Sequence, residues 1–273
     1  MGKTIKTIVY DRQLQIEAYH FEGIAQPFPN HFHDYYVIGF IENGKRNMTC
    51  QNHKYLIQAG DMIIFNPYDS HECVQIEEEN LNYRAINISK DVMQSLHQKI
   101  IGYHEMPYFQ KNVLHDEELS YYFLRLHQMI LDEKQWLDKE EDFLLIMTSL
   151  IYKYSQSLNN QDIDCSEEVE WICSYLQEHY AKHICLDDLC NYVHLSQSTL
   201  LRSFTKEKGI TPYRYLLTMR INKAKELLEK GIQPIHVAMQ VGFSDQSHFT
   251  NCFRHLIGLS PGMYYDMFIK NRR

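Results

Sequence analysis

The chain has 273 residues and a formal net charge of −8, with 44% hydrophobic and 23% charged residues. This length suits about two domains of ordinary size, and the composition excludes a wholly disordered chain. No apolar run reaches the roughly 18 residues that a membrane span needs, and no signal peptide is recognisable at the N-terminus. Seven cysteines without a CxxC pair argue against a disulfide framework. These features predict a cytoplasmic protein without a membrane partner.

The charge is distributed unevenly along the chain. Residues 182–273 contain 13 basic and 7 acidic residues, whereas residues 1–181 contain 14 basic and 28 acidic residues. A basic C-terminal segment on an acidic body indicates a module that binds polyanions. A solvated charged face would produce the same imbalance, so the motifs have to decide between the two.

The first ninety or so residues predict short β-strands. Apolar, β-branched and aromatic runs alternate there with Gly, Asn, Pro and Asp, which favour turns. The runs are IVY (8–10), LQIEAY (14–19), YYVIGFI (35–41), YLIQ (55–58), DMIIFN (61–66), CVQIE (73–77) and YRAINI (83–88). Many short strands at this spacing are typical of a β-barrel or a sandwich.

The hydrophobic period changes to that of helices after the strands. Ser89 is a predicted helix N-cap, and two long amphipathic helices are predicted over 116–135 and 138–158. Their apolar stripes exceed what a small barrel can cover, so part of that face is expected to pair with a second subunit. The polar residues Asn159–Asp162 are the predicted linker.

The C-terminal part predicts helices only, beginning at an N-cap at Ser166. Residues 186–209 and 234–258 repeat one pattern about 48 residues apart. Each repeat has a short helix, a turn residue in the left-handed conformation, a capping serine and a second helix, which is the helix-turn-helix arrangement. The turn residues and caps are His194 and Ser196 in the first repeat, and Gly242 and Ser244 in the second.

A single helix over residues 212–230 is predicted to join the two repeats. It would be about 28 Å long at 1.5 Å per residue. A spacer of that size suits two recognition helices in successive major grooves on one DNA face, about 34 Å apart. One chain is therefore predicted to bind a bipartite, non-palindromic site.

The outer faces of the two second helices carry side chains that suit DNA. Arg can pair with guanine and Gln or Asn with adenine, while Lys and Ser suit phosphates. The alternative is an ordinary solvated polar face. The predicted DNA-binding residues are Gln197, Ser198, Leu201, Arg202, Lys206, Ser244, Gln246, Ser247, Thr250, Asn251 and Arg254.

Residues 184–265 resemble the DNA-binding domain of AraC-type bacterial transcription regulators, in which a long helix joins tandem helix-turn-helix units. The positions that carry the resemblance include Leu189, Val193, Ser196, Leu200, Arg202, Phe204, Gly209, Arg220, Ala224, Leu228, Ile235, Ala238, Val241, Gly242, Phe243, Phe249, Phe253, Gly258, Pro261 and Tyr264. Cys190 departs from the usual alanine, and Tyr265 from a basic residue. The resemblance implies double-stranded DNA and RNA polymerase as partners, a homodimer, and activation as the favoured sign.

The N-terminal part holds a second motif. His31 and His33 are two residues apart, which would place them on one face of a strand. A Gly-Asp turn at Gly60 follows, and His71 lies four residues after Pro67. This order is similar to the cupin-like sensor barrel of the same family.

The predicted fold is therefore an α+β two-domain protein. A jelly-roll-type β-barrel with connecting helices precedes an all-α domain that has two helix-turn-helix units joined by a long helix. The predicted boundaries are 1–88 for an effector-sensing barrel, 89–160 for a helical connector with dimerisation helices, and 166–273 for the DNA-binding domain.

Three histidines are candidate ligands for zinc or iron. Similar metal-binding barrels supply a carboxylate soon after the histidine pair, whereas Val37 and Ile38 occupy that stretch here. We therefore expect no metal or other cofactor, and a pocket for an organic effector. A bound metal and a purely structural role are the alternatives. The predicted effector-binding residues are His31, His33, Tyr35, Tyr36, Asn66 and His71.

The sequence thus predicts a DNA-binding transcription regulator, controlled by a small molecule and not an enzyme. Two alternatives use the same three histidines. One is a metal-dependent dioxygenase or isomerase of the cupin type, and the other is a metal-responsive regulator.

Overall fold

The computed structural model describes residues 4–76, 79–102, 105–132, 137–157 and 166–270. The chain forms two compact units. The first comprises residues 1–27, 33–69 and 73–161, and the second comprises 28–32, 70–72 and 162–273. The predicted linker at Asn159–Asp162 lies outside the described residues.

Twelve strands are found in the described residues, in three sheets. They are β1 (Ile5–Asp11), β2 (Ile16–Ile24), β3 (Phe28–His31), β4 (Tyr36–Asn43), β5 (Arg46–Cys50), β6 (His53–Ile57), β7 (Met62–Phe65), β8 (His71–Gln75), β9 (Leu81–Ile88), β10 (Pro107–Phe109), β11 (Val113–Leu114) and β12 (Ser155–Ser157). The sheet orders are β1-β2-β9-β4-β7-β11, β3-β8-β5-β6 and β10-β12. Each of the seven predicted runs overlaps a strand, as the alternation of apolar residues predicted.

Two strands of the N-terminal region were missed because their residues are atypical of strands. In β5 the buried side chains Arg46, Met48 and Cys50 alternate with Asn47 and Thr49, so polar residues hide the period of two. In β3 a proline, Pro29, stands in a strand of only four residues. Proline lacks an N–H and is confined to edge positions, which matches the place of β3 at the end of its sheet.

The six-stranded sheet has two different faces. Side chains such as Ala18, Ile38 and Ile86 pack in one core with Phe123 and Met147 of the helices. The opposite face is so crowded at Gly39 that an added Cβ would lie 2.7 Å from Cε2 of Tyr83 and 2.8 Å from Cγ1 of Ile63. Only glycine fits there, and it lets the Tyr83 ring lie against the strand.

Three helices cover the apolar face of this sheet. They are α1 (Lys90–Ile101), α2 (Glu117–Leu131) and α3 (Leu137–Tyr154). Ser89 caps α1 as predicted, since its side chain accepts from the Val92 amide. The predicted helix over 138–158 ends earlier, because residues 155–157 form β12 and pair with β10.

A buried ion pair fixes α3 to the first hairpin. Nζ of Lys139 lies 2.6 Å from Oδ2 of Asp11, with side-chain exposures of 2% and 5%. The other oxygen of Asp11 accepts from the Leu14 amide in the turn between β1 and β2. One carboxylate thus shapes the turn and binds the helix.

Seven helices are found in the described residues 166–270 of the second unit. These are α4 (Glu167–His179), α5 (Leu186–Val193), α6 (Gln197–Lys208), α7 (Pro212–Glu229), α8 (Pro234–Gln240), α9 (Gln246–Ile257) and α10 (Pro261–Lys270). Pro212 and Pro234 stand in the first turn of α7 and α8, as predicted. Among the described residues, no helix is both long and apolar enough to cross a membrane.

Two apolar clusters support the two helix-turn-helix units. Leu200 and Phe204 of α6 pack with Val169, Ile172 and Leu176 of α4 in the first cluster. The second cluster joins side chains of α7, α8, α9 and α10, with Phe249, Phe253 and Tyr264 at its centre. Each recognition helix is therefore held by its own core, as the inward residues predicted from the sequence require.

Candidate functional site

The first recognition helix, α6, presents the predicted side chains to solvent. Gln197, Leu201, Arg202 and Lys206 are exposed, and Leu201 is 37% exposed. Ser198 is in α6, but its side chain lies outside the described residues. Because Leu200 and Phe204 are fully buried on the opposite side, the outward face of α6 is the one that the sequence predicted.

Local hydrogen bonds set the N-terminus of α6. The hydroxyl of Ser196 accepts from the Thr199 amide at 3.3 Å, as a capping serine does. Nε2 of Gln197 donates to Oδ1 of Asp187 at 2.7 Å, so this amide is bound to the first turn of α5. For Gln197 to contact a base, this bond to Asp187 has to break or be shared.

The second recognition helix, α9, is capped by a different residue from the one predicted. The sequence predicted Ser244, but the N-cap is Asp245, whose carboxylate accepts from the amides of Ser247 and His248 at 2.9 Å each. With Asp245 as the cap, the helix begins at Gln246, one residue later than a cap at Ser244 would give. These backbone hydrogen bonds hold the pKa of Asp245 below its usual range.

The outer face of α9 is polar and exposed. Of the predicted residues, Gln246, Ser247, Asn251 and Arg254 are exposed, and Thr250 is half-buried beside them. Ser244 is also exposed, in the turn before the cap. With Phe249 and Phe253 fully buried, α9 presents the same kind of surface as α6.

The carboxylates of Glu207 and Asp245 are engaged away from the outward faces of the two helices, whereas Asp187 accepts from Gln197 on α6. Glu207, the one acidic residue of α6, accepts from the backbone amide and the hydroxyl of Ser166 at 2.9 and 3.0 Å. Ser166 begins α4 as predicted, although its side chain makes this contact instead of a capping bond. The acidic charges thus serve the inner contacts and caps, whereas Arg202, Lys206 and Arg254 remain exposed. That distribution favours contact with a polyanion.

The turn of each helix-turn-helix unit has the predicted left-handed backbone, with φ of 55° at His194 and 85° at Gly242. The second turn also lies against the turn between α4 and α5. A Cβ added at Gly242 would be 2.7 Å from the carbonyl oxygen of Ala181. Glycine is required there for close approach as well as for conformation.

The three predicted histidines come together. One ring nitrogen from each of His31, His33 and His71 lies within 4.8 Å of the others. The pair does not share one face of a strand as predicted, because β3 ends at His31 and His33 follows in the next turn. The strand has only four residues, and the chain bends at residues 34 and 35 before β4 begins at Tyr36.

His31 is a neutral side chain at ordinary pH. Burial lowers the pKa of His31 to about 4. Its Nδ1 lies 2.6 Å from the Pro29 carbonyl oxygen, which fixes the ring orientation and assigns the proton to Nδ1 in the neutral ring. The His71 ring lies against it at 4.4 Å between centroids.

The other predicted effector residues divide between two environments. Tyr35 is half-buried and stacks on His33 at 4.7 Å. Tyr36 lies in the core under the helices, and its hydroxyl donates to the Pro107 carbonyl at 2.7 Å. Asn66 is buried, donating to Phe109 O and Asp69 Oδ2 and accepting from the Phe109 amide. The structure therefore places Tyr35 beside the histidines, whereas Tyr36 and Asn66 connect loops.

A group of buried polar side chains was missed by the sequence analysis. Oε2 of Glu17 accepts from the Tyr19 hydroxyl and from Nδ2 of Asn87, at 3.1 Å each. All three lie on the face opposite the helices, since their neighbours Ala18, Ile86 and Ile88 pack under α2 and α3. The sequence does contain a sign of this group, because Glu17 is a charged residue within the apolar run that forms β2.

A groove of about 570 Å³ runs between α2 and α3. Its lining combines apolar and charged side chains, and Leu144 and Leu145 are 46% and 44% exposed. The lining residues are Glu118, Leu119, Tyr122, Glu141, Leu144, Leu145, Thr148, Ser149 and Lys153. The apolar stripes in which the sequence predicted unused surface lie elsewhere, because Leu126, Met147 and Leu150 are fully buried in the core. The exposed leucines of the groove are on another face of α3.

Two family models match the chain. The AraC-like ligand binding domain matches residues 13–150, and a helix-turn-helix domain matches residues 189–267. The HTH-type transcriptional regulator YbfI of Bacillus subtilis (strain 168) is 49% identical, covering 91% of this chain and 90% of that protein. The HTH-type transcriptional activator RhaS of Escherichia fergusonii is 26% identical over 86% of each chain.

Solved structures show the same fold over almost the whole chain. ToxT from Vibrio cholerae O395 has a TM-score of 0.55 at 19% identity, covering 93% of this chain and 97% of ToxT. ToxT with bound unsaturated fatty acid also has a TM-score of 0.55, at 17% identity and 98% coverage of each chain. With both family models and a relative 49% identical over most of its length, the chain belongs to the AraC family of transcription regulators, which combine a ligand-binding domain with helix-turn-helix DNA binding.

Proposed function

We propose that this regulator binds a bipartite DNA site through α6 and α9. The observation that carries the proposal is that both helices expose polar and basic side chains, while Glu207 is engaged in an inner contact and Asp245 in a cap. The continuous helix α7 of 18 residues separates the two units along the DNA. It spans about 27 Å, close to one turn of the double helix.

The residues divide into two classes by chemistry. Arg202, Gln246 and Asn251 suit base edges in the major groove, and Leu201 suits a thymine methyl. Lys206, Arg254 and Ser244 suit phosphates, which position the protein without reading sequence. The remaining proposed contacts are Gln197, Ser198, Ser247 and Thr250, at the N-terminal and central turns of the two helices.

The test begins with duplexes that the full-length protein selects from a random DNA pool. Affinity is then measured on a selected duplex and on a scrambled one over a series of salt concentrations. We expect steep weakening with salt, because cationic side chains displace counterions from several phosphates. A flat salt response, or equal affinity for both duplexes, would contradict the proposal.

We infer that the N-terminal β-sheet region senses an organic effector rather than catalysing a reaction. Buried Glu17, Tyr19 and Asn87 offer hydrogen bonds on the face away from the helices, and the histidine cluster with Tyr35 offers a second polar group. In the sequence, Val37 and Ile38 replace the carboxylate that similar metal-binding barrels supply. The working compartment is that of the chromosome, the bacterial cytoplasm.

The buried carboxylate narrows the effector chemistry. The fatty acid of the ToxT structure ends in a carboxylate, whereas Glu17 is a hydrogen-bond acceptor that suits donor groups. Hydroxyl or ammonium groups would instead donate to Glu17. Thermal-shift screens of the full chain with sugars, polyols, amines and fatty acids test this, and stabilisation by fatty acids alone would contradict it.

Metal binding at the three histidines is the competing function. Ring nitrogens within 4.8 Å of one another have a spacing that zinc or iron can use. Elemental analysis of the purified protein, and a titration with zinc or ferrous salt, decide the matter. Stoichiometric metal binding that changes the affinity for DNA would show that the effector is a metal ion and not an organic molecule.

We propose that the groove between α2 and α3 pairs with a second copy of this chain. On α3, Glu141 lies near the N-terminal end and Lys153 near the C-terminal end, with Leu144, Leu145 and Thr148 between them. In a two-fold, antiparallel arrangement Glu141 of each copy would face the partner's Lys153, so the surface is complementary to itself. Sedimentation of Leu145→Glu should show a monomer, whereas Leu56→Glu, at a still more exposed leucine of β6, should not.

Activation through contact with RNA polymerase is the proposed output. A reporter gene placed behind a selected site tests the sign. Lower expression of the reporter in a strain that lacks this protein would support activation. Higher expression there would show that the protein is a repressor.

A further inference from the structure

We propose that Arg220 and the turn between α4 and α5, residues Tyr180–Lys182, lock the two helix-turn-helix units in one orientation and so determine the spacing of the DNA half-sites. This turn is called the clamp turn below. The inference rests on the proposed bipartite binding and adds the residues that set its geometry.

The first contact is made by Arg220 of α7. Nε of Arg220 donates to the Tyr180 carbonyl oxygen and an Nη donates to the Lys182 carbonyl oxygen, each at 2.8 Å. Tyr180 is the C-cap of α4. The last carbonyls of a helix have no partners within the helix and carry partial negative charge, so a buried guanidinium binds them strongly. Arg220 is only 9% exposed, which protects this contact from water.

The second contact comes from the turn of the second helix-turn-helix unit. The backbone of Gly242 is so close to the clamp turn that an added Cβ would lie 2.7 Å from the carbonyl oxygen and 2.9 Å from Cα of Ala181. The next residue, Phe243, has its ring 5.8 Å from Cζ of the Arg220 guanidinium. The clamp turn is thus enclosed between α7 and the second helix-turn-helix unit.

The third contact joins the two apolar cores. The Tyr180 side chain packs against the cluster that supports α6 and also against the cluster that supports α9. Through α4, the clamp turn is continuous with Val169, Ile172 and Leu176 of the first core. The two units are therefore joined by α7 and, independently, by the clamp turn.

Two separate connections restrict motion that a single helix would allow. One helix can bend along its length, and the recognition helix at its far end would then move relative to the DNA. A second connection removes that freedom, so that one half-site spacing is favoured. The positioning residue is Arg220, because a single side chain bonds both ends of the clamp turn.

The experiment measures sensitivity to half-site spacing. The full-length protein selects duplexes from a random pool, and one base pair is then inserted between the two half-sites of a selected duplex. The insertion turns one half-site by about 34° relative to the other. For the wild type we expect at least about a tenfold loss of affinity, since only one recognition helix then stays in register.

The decisive variant is Arg220→Met, with Lys223→Met as its matched control. Both remove one positive charge from α7, but Lys223 faces solvent and pairs with Glu226 on the same helix. Arg220→Met should bind the original duplex more weakly than the wild type does. The inserted base pair should then lower the affinity of this variant less than about threefold. The insertion ratio is the affinity for the original duplex divided by the affinity for the duplex with the inserted base pair. Lys223→Met should keep the wild-type insertion ratio.

Arg220→Lys keeps the charge but has no pair of fixed donors, and its ratio should lie between those of wild type and Arg220→Met. It also serves if Arg220→Met does not fold. An unchanged insertion ratio in a folded Arg220 variant would overturn the lock. Selection of a single motif without a second half-site would instead overturn bipartite binding, so the two failures are distinguishable.

Discussion

His194 and Gly242 occupy the same position in the two helix-turn-helix units, and both have left-handed backbones, with φ of 55° and 85°. Their surroundings differ. His194 is exposed at the end of α5, whereas Gly242 touches the backbone of Ala181. The two residues have the same backbone conformation, but only His194 has open space around it. The same substitution should therefore change stability by different amounts at the two positions.

Gly242→Ala should destabilise the protein far more than His194→Ala. The left-handed conformation costs an L-residue about 1–2 kcal/mol, a cost that His194 already bears and Gly242 does not. Alanine at 242 would also place its Cβ against the Ala181 carbonyl. A loss of this size lowers the thermal midpoint by about 4 °C per kcal/mol in a unit of this size. Equal midpoints for the two variants would contradict the close contact.

Arg202→Ala and Lys206→Ala should separate base recognition from phosphate contact. Both side chains are exposed on α6. If Arg202 pairs with guanine, its loss costs about 1–3 kcal/mol on a selected duplex and much less on a scrambled one. Loss of Lys206 should weaken both duplexes alike and reduce the salt slope by about 1. Fluorescence anisotropy on both duplexes gives these values, and equal losses for Arg202 would make it a phosphate contact.

Much of the helical part was predictable from the sequence because its signals are local. A proline in the first turn and a left-handed turn residue each act within a few residues, and Pro212, Pro234, His194 and Gly242 all behave as predicted. The cap of α9 shows the limit of such reasoning. Serine and aspartate stand side by side at Ser244 and Asp245, and both are good caps, so sequence alone does not choose between them.

Long-range contacts account for what the sequence analysis missed. Arg220 was identified only by family resemblance, because its partners Tyr180 and Lys182 are about forty positions away in sequence. The polar group at Glu17 joins two strands that are seventy positions apart. Such pairs are created by folding and leave no periodic signal. The histidine cluster was foreseen from motif order, but its strand register was not.

The stability of the first compact unit, which contains the six-stranded sheet and α1 to α3, should depend on pH through His127. Burial, together with the nearby charge of Arg84, lowers the pKa of His127 to about 3. A histidine with a depressed folded pKa contributes stability above its unfolded pKa near 6.5, and this is lost as the pH falls towards 3. The slope is at most about 1.4 kcal/mol per pH unit. Urea unfolding between pH 7 and 4.5 should show this decline, and His127→Gln should flatten it. An equally steep decline in the variant would assign the effect to other groups.

Two lysine–carboxylate pairs with the same chemistry should differ widely in energy. The Lys139–Asp11 and Lys223–Glu226 pairs are 2.6 and 2.7 Å long, but the first is buried and the second is more than a third exposed. Lys139→Met leaves the Asp11 charge buried without its partner, which costs about 3–5 kcal/mol. Lys223→Met should cost less than about 1 kcal/mol, because water already solvates the exposed pair.

Urea unfolding of both lysine variants, followed separately for the two units, gives these costs. The double variant Lys139→Met with Asp11→Asn sharpens the test. Asparagine at position 11 keeps an oxygen that can accept from the Leu14 amide but removes the charge. The double variant should therefore recover part of the stability that Lys139→Met loses. If it is no more stable than Lys139→Met, the cost comes from lost packing at the start of α3 and not from an unpaired buried carboxylate.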